Sequence, residues 1–229
     1  MRSPPELGPE KRSAGGRYIR ARIGGIVTSE PLSAHPAIEA GDTLTEVGDA
    51  ARVCIRCPLA ETRTQVVFGV GSPNARLMFV GEGPGQQEDL QGEPFVGRAG
   101  KLLTQLIEGI GLTRADVYIA NVVKCRPPGN RDLLPLEIEA CSPWLDRQLE
   151  LIVPEIIVTL GNFATKLLLD TKVGITKLRG QQFPFVRAGV TASLVPTLHP
   201  AAVLRGGGVA LAETRADFIR VKRLLEGTL

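Results

Sequence analysis

Residues 75–89 read ARLMFVGEGPGQQED, an apolar run that ends in a turn rich in glycine. Residues 76–82 predict a buried strand, and the segment Gly81-Glu82-Gly83-Pro84-Gly85 predicts a turn at its end. Glycine has no Cβ and proline fixes the backbone, so a ligand can approach this turn closely. Because α/β proteins bind ligands beyond the carboxyl ends of their strands, the acid between the glycines is a candidate functional residue.

Strand and helix patterns alternate along the rest of the chain. Further strands are predicted at 116–124, 155–161 and 192–197, and helices at 99–112, 134–153, 162–169 and 209–227. Pro143 favours a break or restart in the second of these helices. Such alternation is typical of a mainly parallel sheet covered by helices on both faces, with a ligand crevice at one sheet edge.

Composition and charge indicate where the protein acts. Apolar residues make up 43% of the chain, but no run is long enough to span a membrane, and the N-terminus lacks a secretory apolar segment. We therefore expect a cytoplasmic, nucleoid-associated protein. Residues 1–22 contain six Arg or Lys and two Glu, so they carry +4 of a total of +3, and the remainder carries −1. We expect residues 1–44 to form a basic, flexible N-terminal extension and residues 45–229 to form the folded domain.

The chain contains four cysteines, of which Cys54 and Cys57 form a C-x2-C pair, while Cys125 and Cys141 stand alone. Disulfides are disfavoured in the cytosol, so this set suggests a metal or cluster site, with four unrelated buried thiols as the alternative. The spacing matches neither two C-x2-C pairs for zinc nor three close cysteines of a ferredoxin cluster. Zinc and an iron–sulfur cluster both remain open at this point.

Five blocks of sequence carry a resemblance to a known family. They are CIRCPL (54–59), GEGPGQQEDLQGEPFVGRAGKLL (81–103), YIANVVKCRPPGNR (118–131), EACSPWL (139–145) and TLHPAAVLR (197–205). Together they resemble the family 4 uracil-DNA glycosylases, the iron–sulfur branch of that superfamily, over about residues 45–227. The resemblance implies a three-layer α/β/α fold with a central four-stranded, mainly parallel sheet. It also implies a [4Fe-4S] cluster bound by Cys54, Cys57, Cys125 and Cys141.

The family reaction flips uracil out of DNA and hydrolyses its N-glycosidic bond, leaving an abasic site. A flipped base needs an aromatic platform, and Phe95 matches the family stacking residue. A side-chain amide distinguishes uracil from cytosine by accepting from N3–H and donating to O4, and Asn121 matches that residue. Gly83, beside Glu82, can offer its backbone N–H to uracil, and Glu88 resembles a family residue that braces this loop near uracil C5.

Two further matches concern bond cleavage. His199 matches the histidine that donates a hydrogen bond to uracil O2, a contact that strengthens as the leaving group becomes anionic. Glu82 is placed to orient or deprotonate water and to stabilise the cationic sugar. Each of these residue types also has common structural roles, such as core packing, strand ends and salt bridges.

Contacts to DNA are expected after the histidine and after the third cysteine. Leu204 is the candidate wedge that fills the gap left by the flipped base, and Arg205 is a candidate phosphate contact on a loop with three glycines. Arg126, with Lys124 and Arg131, could form a local positive patch. The short segment 126–140 lacks the inserted basic loop with a histidine found in a branch that traps abasic sites covalently, so we expect turnover.

The sequence therefore predicts a monomeric, monofunctional uracil-DNA glycosylase that acts on single- or double-stranded DNA containing uracil and uses no membrane. Two rival hypotheses stay open. One is a non-catalytic iron–sulfur module that binds DNA, in which Glu82, Asn121 and His199 are incidental. The other is a zinc-stabilised nucleotide-binding protein, which would be colourless.

Overall fold

The computed structural model describes residues 41–228, so the predicted basic extension lies outside the described residues except for 41–44. Helix α1 begins at Leu44 after a capping box, in which the Thr43 hydroxyl accepts from Glu46 N–H and the Glu46 carboxylate accepts from Thr43 N–H. Such a cap satisfies backbone donors at the start of a helix. The domain boundary near residue 45 stays a prediction.

The centre of the fold is one twisted sheet, with six strands in the described part of the chain. They are β1 (Val70–Gly71), β2 (Leu77–Gly81), β3 (Tyr118–Asn121), β4 (Ile156–Leu160), β5 (Phe183–Arg187) and β6 (Val190–Thr197). Their spatial order is β1-β3-β2-β4-β6-β5. The inner strands β3, β2, β4 and β6 pair in parallel, while β1 and β5 pair antiparallel at the edges. The predicted central four-stranded parallel sheet is confirmed, and two edge strands that the sequence patterns did not reveal extend it.

Helices cover both faces of this sheet. They are α1 (Leu44–Arg52), α2 (Leu59–Thr62), α3 (Gln86–Gln91), α4 (Arg98–Glu108), α5 (Pro135–Ile152), α6 (Asn162–Leu168), α7 (Ile175–Leu178) and α8 (Pro200–Leu225). Alternate residues of β2 point to opposite faces: Met78 and Val80 share a core with α1, α5 and α6, while Leu77 and Phe79 share one with α4 and α8. This is the predicted three-layer α/β/α fold. Among the described helices, none combines the length and apolar character needed to cross a membrane.

Helix α5 continues through Pro143, so the expected break is wrong. A proline inside a helix costs about 3 kcal/mol or more, because it removes one hydrogen bond and clashes with the preceding turn. Trp144, Leu145 and Leu149 are each 1% exposed on the same helix. Their burial offsets the cost of the proline.

Helix α8 begins at Pro200 rather than at Val209, because proline is favoured at the first helical position. Gly207, with φ 67° and ψ −152°, separates two helical segments that follow each other without a loop. Leu204 and Arg205 therefore lie on the first segment of α8, and their expected placement in a loop is wrong. Leu204 is 44% exposed, which excludes the alternative that it is a core residue.

Candidate functional site

The carboxyl ends of the inner strands border a cavity of about 470 Å³. Eight of the candidate site residues named from the sequence line it, namely Glu82, Gly83, Glu88, Phe95, Asn121, Arg131, His199 and Arg205. They come from the turn after β2, from α3, from the loop before α4, from the end of β3 and the loop that follows it, and from the start of α8. Leu204 and Arg126 do not line the cavity. Because the inner strands are parallel, their carboxyl ends lie on the same side of the sheet, which brings these distant segments together.

Asn121, the last residue of β3, has an unpaired acceptor at this edge. The residue is 2% exposed, and its Oδ1 has no hydrogen-bond partner among residues 41–228. An unsatisfied buried polar group costs about 1–3 kcal/mol, so this oxygen is suited to a donor on a ligand. Gly81 leaves the space that this arrangement needs, because a Cβ there would lie 2.4 Å from Asn121 Oδ1 and 2.6 Å from Phe95 Cζ.

Phe95 presents its ring to the cavity from a strained backbone. Its φ is 55°, a left-handed conformation that costs a residue other than glycine about 1–3 kcal/mol. The ring centroid lies 5.7 Å from that of His199, with the planes tilted by 35°. Glu88 holds the following residues, since its Oε1 accepts from the N–H groups of Val96 and Gly97, each at 3.0 Å. The loop is therefore fixed by a side chain from α3.

His199 forms the N-cap of α8, and its Nδ1 accepts from the N–H of Ala201 at 3.1 Å. Burial, and secondarily the charge of Arg205, lowers the pKa of His199 to about 4, while Glu88 opposes the shift. The imidazole is thus neutral near pH 7. Because Nδ1 is the acceptor, the proton is on Nε2, which leaves Nε2–H as a donor for a ligand.

Glu82 is half-buried in the turn after β2. Its burial, together with the negative charge of Asp132, raises the pKa of this carboxyl above its usual value. Its backbone carbonyl accepts from the N–H of Val123 at 3.1 Å, which ties the turn to the end of β3. A carboxylate with a raised pKa is a stronger proton acceptor, so Glu82 is suited to take a proton from water.

The loop after β3 contributes Asn130, which was not predicted as a site residue, and Arg131, which was predicted only as part of a positive patch. Asn130 lines the cavity, and its Oδ1 accepts from Arg126 Nε at 2.8 Å, so Arg126 acts on the cavity through Asn130. Arg131 also lines it and forms two hydrogen bonds with the buried Glu137, at 2.6 and 2.9 Å. This pairing keeps the pKa of Glu137 below its usual value. The turn residues PPGN directly after a predicted strand were the signal that could have revealed them.

A second, smaller cavity is lined by all four cysteines, Cys54, Cys57, Cys125 and Cys141. They come from the segment between α1 and α2, from the loop after β3 and from α5. Arg63 Nη1 donates to Cys125 Sγ at 3.5 Å, and the backbone N–H of Lys124 donates to Cys141 Sγ at 3.2 Å. Four thiols gathered from three segments around one space are unlike four unrelated buried thiols.

Comparison with known proteins identifies the family of this chain. The sequence profile of the family described as "Uracil DNA glycosylase superfamily" matches residues 68–222. The chain belongs to this superfamily. The matched range contains every residue named above that lines the first cavity, and it also contains Cys125 and Cys141. Cys54 and Cys57 precede it.

Similar curated proteins narrow the family further. A protein named type-4 uracil-DNA glycosylase from Sulfurisphaera tokodaii is 50% identical over 169 residues, which cover 71% of this chain and 76% of the relative. One of the same name from Archaeoglobus fulgidus is 47% identical over 167 residues, 71% of this chain and 84% of the relative. A third, from Saccharolobus solfataricus, is 46% identical over 189 residues, 80% of this chain and 87% of the relative. The family 4 resemblance predicted from the sequence is confirmed.

In this glycosylase chain, the cysteine cavity offers four thiols from three segments, a donor set that fits an iron–sulfur cluster. Trp144 also lines this cavity, and its buried indole N–H finds no acceptor in the described part of the chain, which a cluster sulfide would supply.

Lys124 connects the two cavities of the glycosylase. It is 1% exposed, and its Nζ donates to the carbonyl of Asn121 at 2.7 Å and to Gln148 Oε1 at 2.5 Å. Burial lowers the pKa of Lys124 to about 8, although the charges of Cys141 and Cys125 oppose this. Since Gln148 and Cys141 both lie on α5, the end of β3 is joined to the helix that carries a cysteine of the second cavity.

Proposed function

We propose that this protein is a monofunctional uracil-DNA glycosylase, which hydrolyses the N-glycosidic bond of uracil in DNA and leaves an abasic site. Its superfamily membership and the type-4 relatives support a DNA repair enzyme that removes uracil. The observation that carries the proposal is the buried, unpaired Oδ1 of Asn121 beside the ring of Phe95.

Recognition begins with a nucleotide turned out of the DNA stack, at a cost of a few kcal/mol. The Phe95 ring stacks on the flipped base, and Asn121 Oδ1 accepts the hydrogen bond from uracil N3–H. Cytosine has an acceptor at N3, so it would face Asn121 Oδ1 with a second acceptor and leave both buried groups unpaired. That mismatch rejects cytosine.

Cleavage depends on the carboxylate of Glu82 and on the neutral imidazole of His199. The bond between C1′ and N1 breaks and its electron pair leaves with uracil, which becomes an anion. His199 Nε2–H donates to uracil O2, and this hydrogen bond strengthens as the anion forms. A water oxygen bonds to C1′ while Glu82 accepts its proton. Because His199 stays neutral, it stabilises the leaving group as a hydrogen-bond donor and transfers no proton.

The first segment of α8 would contact DNA beside the cavity. Arg205 lines the cavity and can reach a phosphate, while the exposed Leu204 can fill the gap in the stack. Arg126 can add a phosphate contact while holding Asn130. One chain supplies the whole cavity, so we expect a monomer to act on single- or double-stranded DNA. The cytoplasmic, nucleoid-associated location stays a prediction.

The proposal includes a [4Fe-4S] cluster. The cluster would be held by the thiolates of Cys54, Cys57, Cys125 and Cys141. It would link three segments of the chain and would take no part in the hydrolysis. Arg63 and the backbone N–H of Lys124 are placed to donate to the thiolates. Lys124 Nζ donates to the Asn121 carbonyl, so fixing the cysteine segments would also fix the position of Asn121 in the uracil cavity.

The test is uracil release from a labelled single-stranded oligonucleotide, with wild type, Glu82→Ala and His199→Ala assayed together. The proteins are purified without chelator, and their visible absorbance is recorded to detect an iron–sulfur cluster. Release by wild type and loss in both variants would support the proposal. If brown, folded wild type released no uracil, the protein would be an iron–sulfur module that binds DNA without cutting it.

A further inference from the structure

Arg114 lies in the turn between α4 and β3 and reaches the loop that carries Phe95. Its Nη2 donates to the carbonyl of Pro94 at 2.7 Å and to Glu93 Oε1 at 3.0 Å, and its Nη1 donates to the carbonyl of Phe95 at 3.2 Å. The side chain is 22% exposed and lies outside the cavity lining. A planar guanidinium presents five donors in a fixed fork, which suits two neighbouring carbonyls and a carboxylate, whereas a lysine ammonium has three donors on a flexible stem.

These contacts act on a backbone that needs support. Phe95 has a φ of 55°, a conformation that persists only where the surroundings hold it. Gly100 leaves room for the carbonyl that Arg114 binds, because a Cβ at Gly100 would lie 1.8 Å from Phe95 O. Glu88 binds the N–H groups on the other side of the ring residue. The loop is thus held through its carbonyls by Arg114 and through its amides by Glu88.

We propose that Arg114 is a positioning residue for uracil recognition, which keeps Phe95 in its left-handed conformation and so holds the ring against the flipped base. This inference rests on the proposed function, in which Phe95 is the stacking platform. Without Arg114, the carbonyls of Pro94 and Phe95 lose their donors and the loop can relax. The ring then shifts relative to Asn121 and His199, which weakens base binding without changing any group that transfers a proton.

A double-mutant cycle tests this mechanism. Arg114→Gln, Phe95→Ala and the double variant are compared by KM and kcat on a uracil oligonucleotide and by the inhibition constant of free uracil. We expect R114Q to raise KM and the uracil inhibition constant about tenfold, with a smaller effect on kcat and an unchanged pH profile. In the F95A background the same change should have no further effect, since Arg114 acts through Phe95. Arg114→Lys, which can hold one carbonyl, should fall between wild type and R114Q.

Arg76→Gln is the matched control, because Arg76 also binds a carboxylate, Glu155, and a carbonyl, Leu225, but lies away from the cavity. It should keep wild-type kinetics. If the fold-changes of F95A and R114Q multiplied in the double variant, Arg114 would act independently of Phe95 and the inference would be overturned. A change in R76Q as large as that in R114Q would overturn it as well. Either result would leave the proposed function intact. If R114Q did not fold, R114K would carry the cycle. Wild type that released no uracil would instead overturn the proposed function, and this inference with it.

Discussion

The segment 121–125 contributes residues to both cavities, but the groups that it places in them differ in hydrogen bonding. At one end of this segment, Asn121 Oδ1 is buried without a partner and His199 offers a free Nε2–H. At the other end, Cys125 receives a hydrogen bond from Arg63, and the backbone N–H of Lys124 donates to Cys141 on α5. Each cavity also has a buried group without a partner among residues 41–228, but the two groups differ in kind. Asn121 Oδ1 is an acceptor, suited to a donor on a base, whereas the Trp144 indole N–H is a donor, suited to an acceptor. The kind of unpaired group therefore distinguishes the cavities better than burial does.

The largest expected effect is a loss of stability on substitution of a cysteine in the cysteine cavity. Cys141→Ser removes one thiolate while nearly keeping the side-chain size, and should lower the free energy of unfolding by about 4 kcal/mol, as expected for loss of a structural cofactor. Visible absorbance and urea unfolding provide the measurements. Retained absorbance together with retained stability would break the contrast between the cavities.

His199→Ala should show the opposite pattern. Removing the proposed donor to the leaving uracil should lower kcat about 10²–10³-fold, as for other donors to a developing anion. Absorbance should stay at the wild-type level, because His199 does not line the cysteine cavity. The free energy of unfolding should fall by no more than the loss of a helix cap, about 0.5–2 kcal/mol. The measurement is single-turnover uracil release. A loss below tenfold would argue against leaving-group stabilisation by this residue.

Gly81→Ala sharpens the contrast within the uracil cavity. The added Cβ would meet Asn121 Oδ1 and Phe95 Cζ, so it should raise KM about tenfold while leaving cluster absorbance intact. Gly174→Ala is the matched control, because a Cβ there meets no described atom within 4 Å and its φ of −75° suits alanine. Equal kinetics for the two variants would show that the crowding at Gly81 does not matter for binding.

The smallest effect concerns pH. Glu82 must be ionised to accept a proton, and its pKa is raised, so activity should fall as the pH drops through that pKa. His199 is neutral until the pH nears about 4 and does not contribute above that. Asp132→Asn removes a repulsive charge, lowers the pKa of Glu82 and should shift this acid limb of kcat/KM to lower pH. An unmoved limb would exclude a contribution of Asp132 to the raised pKa of Glu82 and leave burial as its cause.

Local patterns in the sequence were enough for the inner strands and for the residues at their ends. Residues such as Glu82, Asn121 and His199 follow apolar runs directly, so the topology of a parallel sheet brings them together. The resemblance supplied their roles and that of Phe95, which the runs alone would not have identified.

Features that depend on contacts between segments were beyond such patterns. Strand β1 spans two residues, too few to show alternation, and β5 forms only through its antiparallel pairing with β6. The start of α8 was placed too late because three glycines suggest a loop, whereas a single left-handed Gly207 joins two helical segments. The position of Arg114 beside the Phe95 loop and that of Lys124 between the cavities follow from tertiary packing, which no single window of sequence contains.

The bonds of Lys124 have a consequence for how this segment can evolve. Its backbone faces Cys141, its ammonium faces the Asn121 carbonyl, and three residues separate Asn121 from Cys125. An insertion or deletion of one residue between Asn121 and Lys124 would change the path of this bent segment, so Lys124 could no longer bind the Asn121 carbonyl and Cys141 Sγ at once. We expect natural variants to exchange Val122 or Val123 for other apolar residues while keeping the length unchanged. The spacing from asparagine to cysteine can then serve as a filter when genomes are searched for proteins of this architecture.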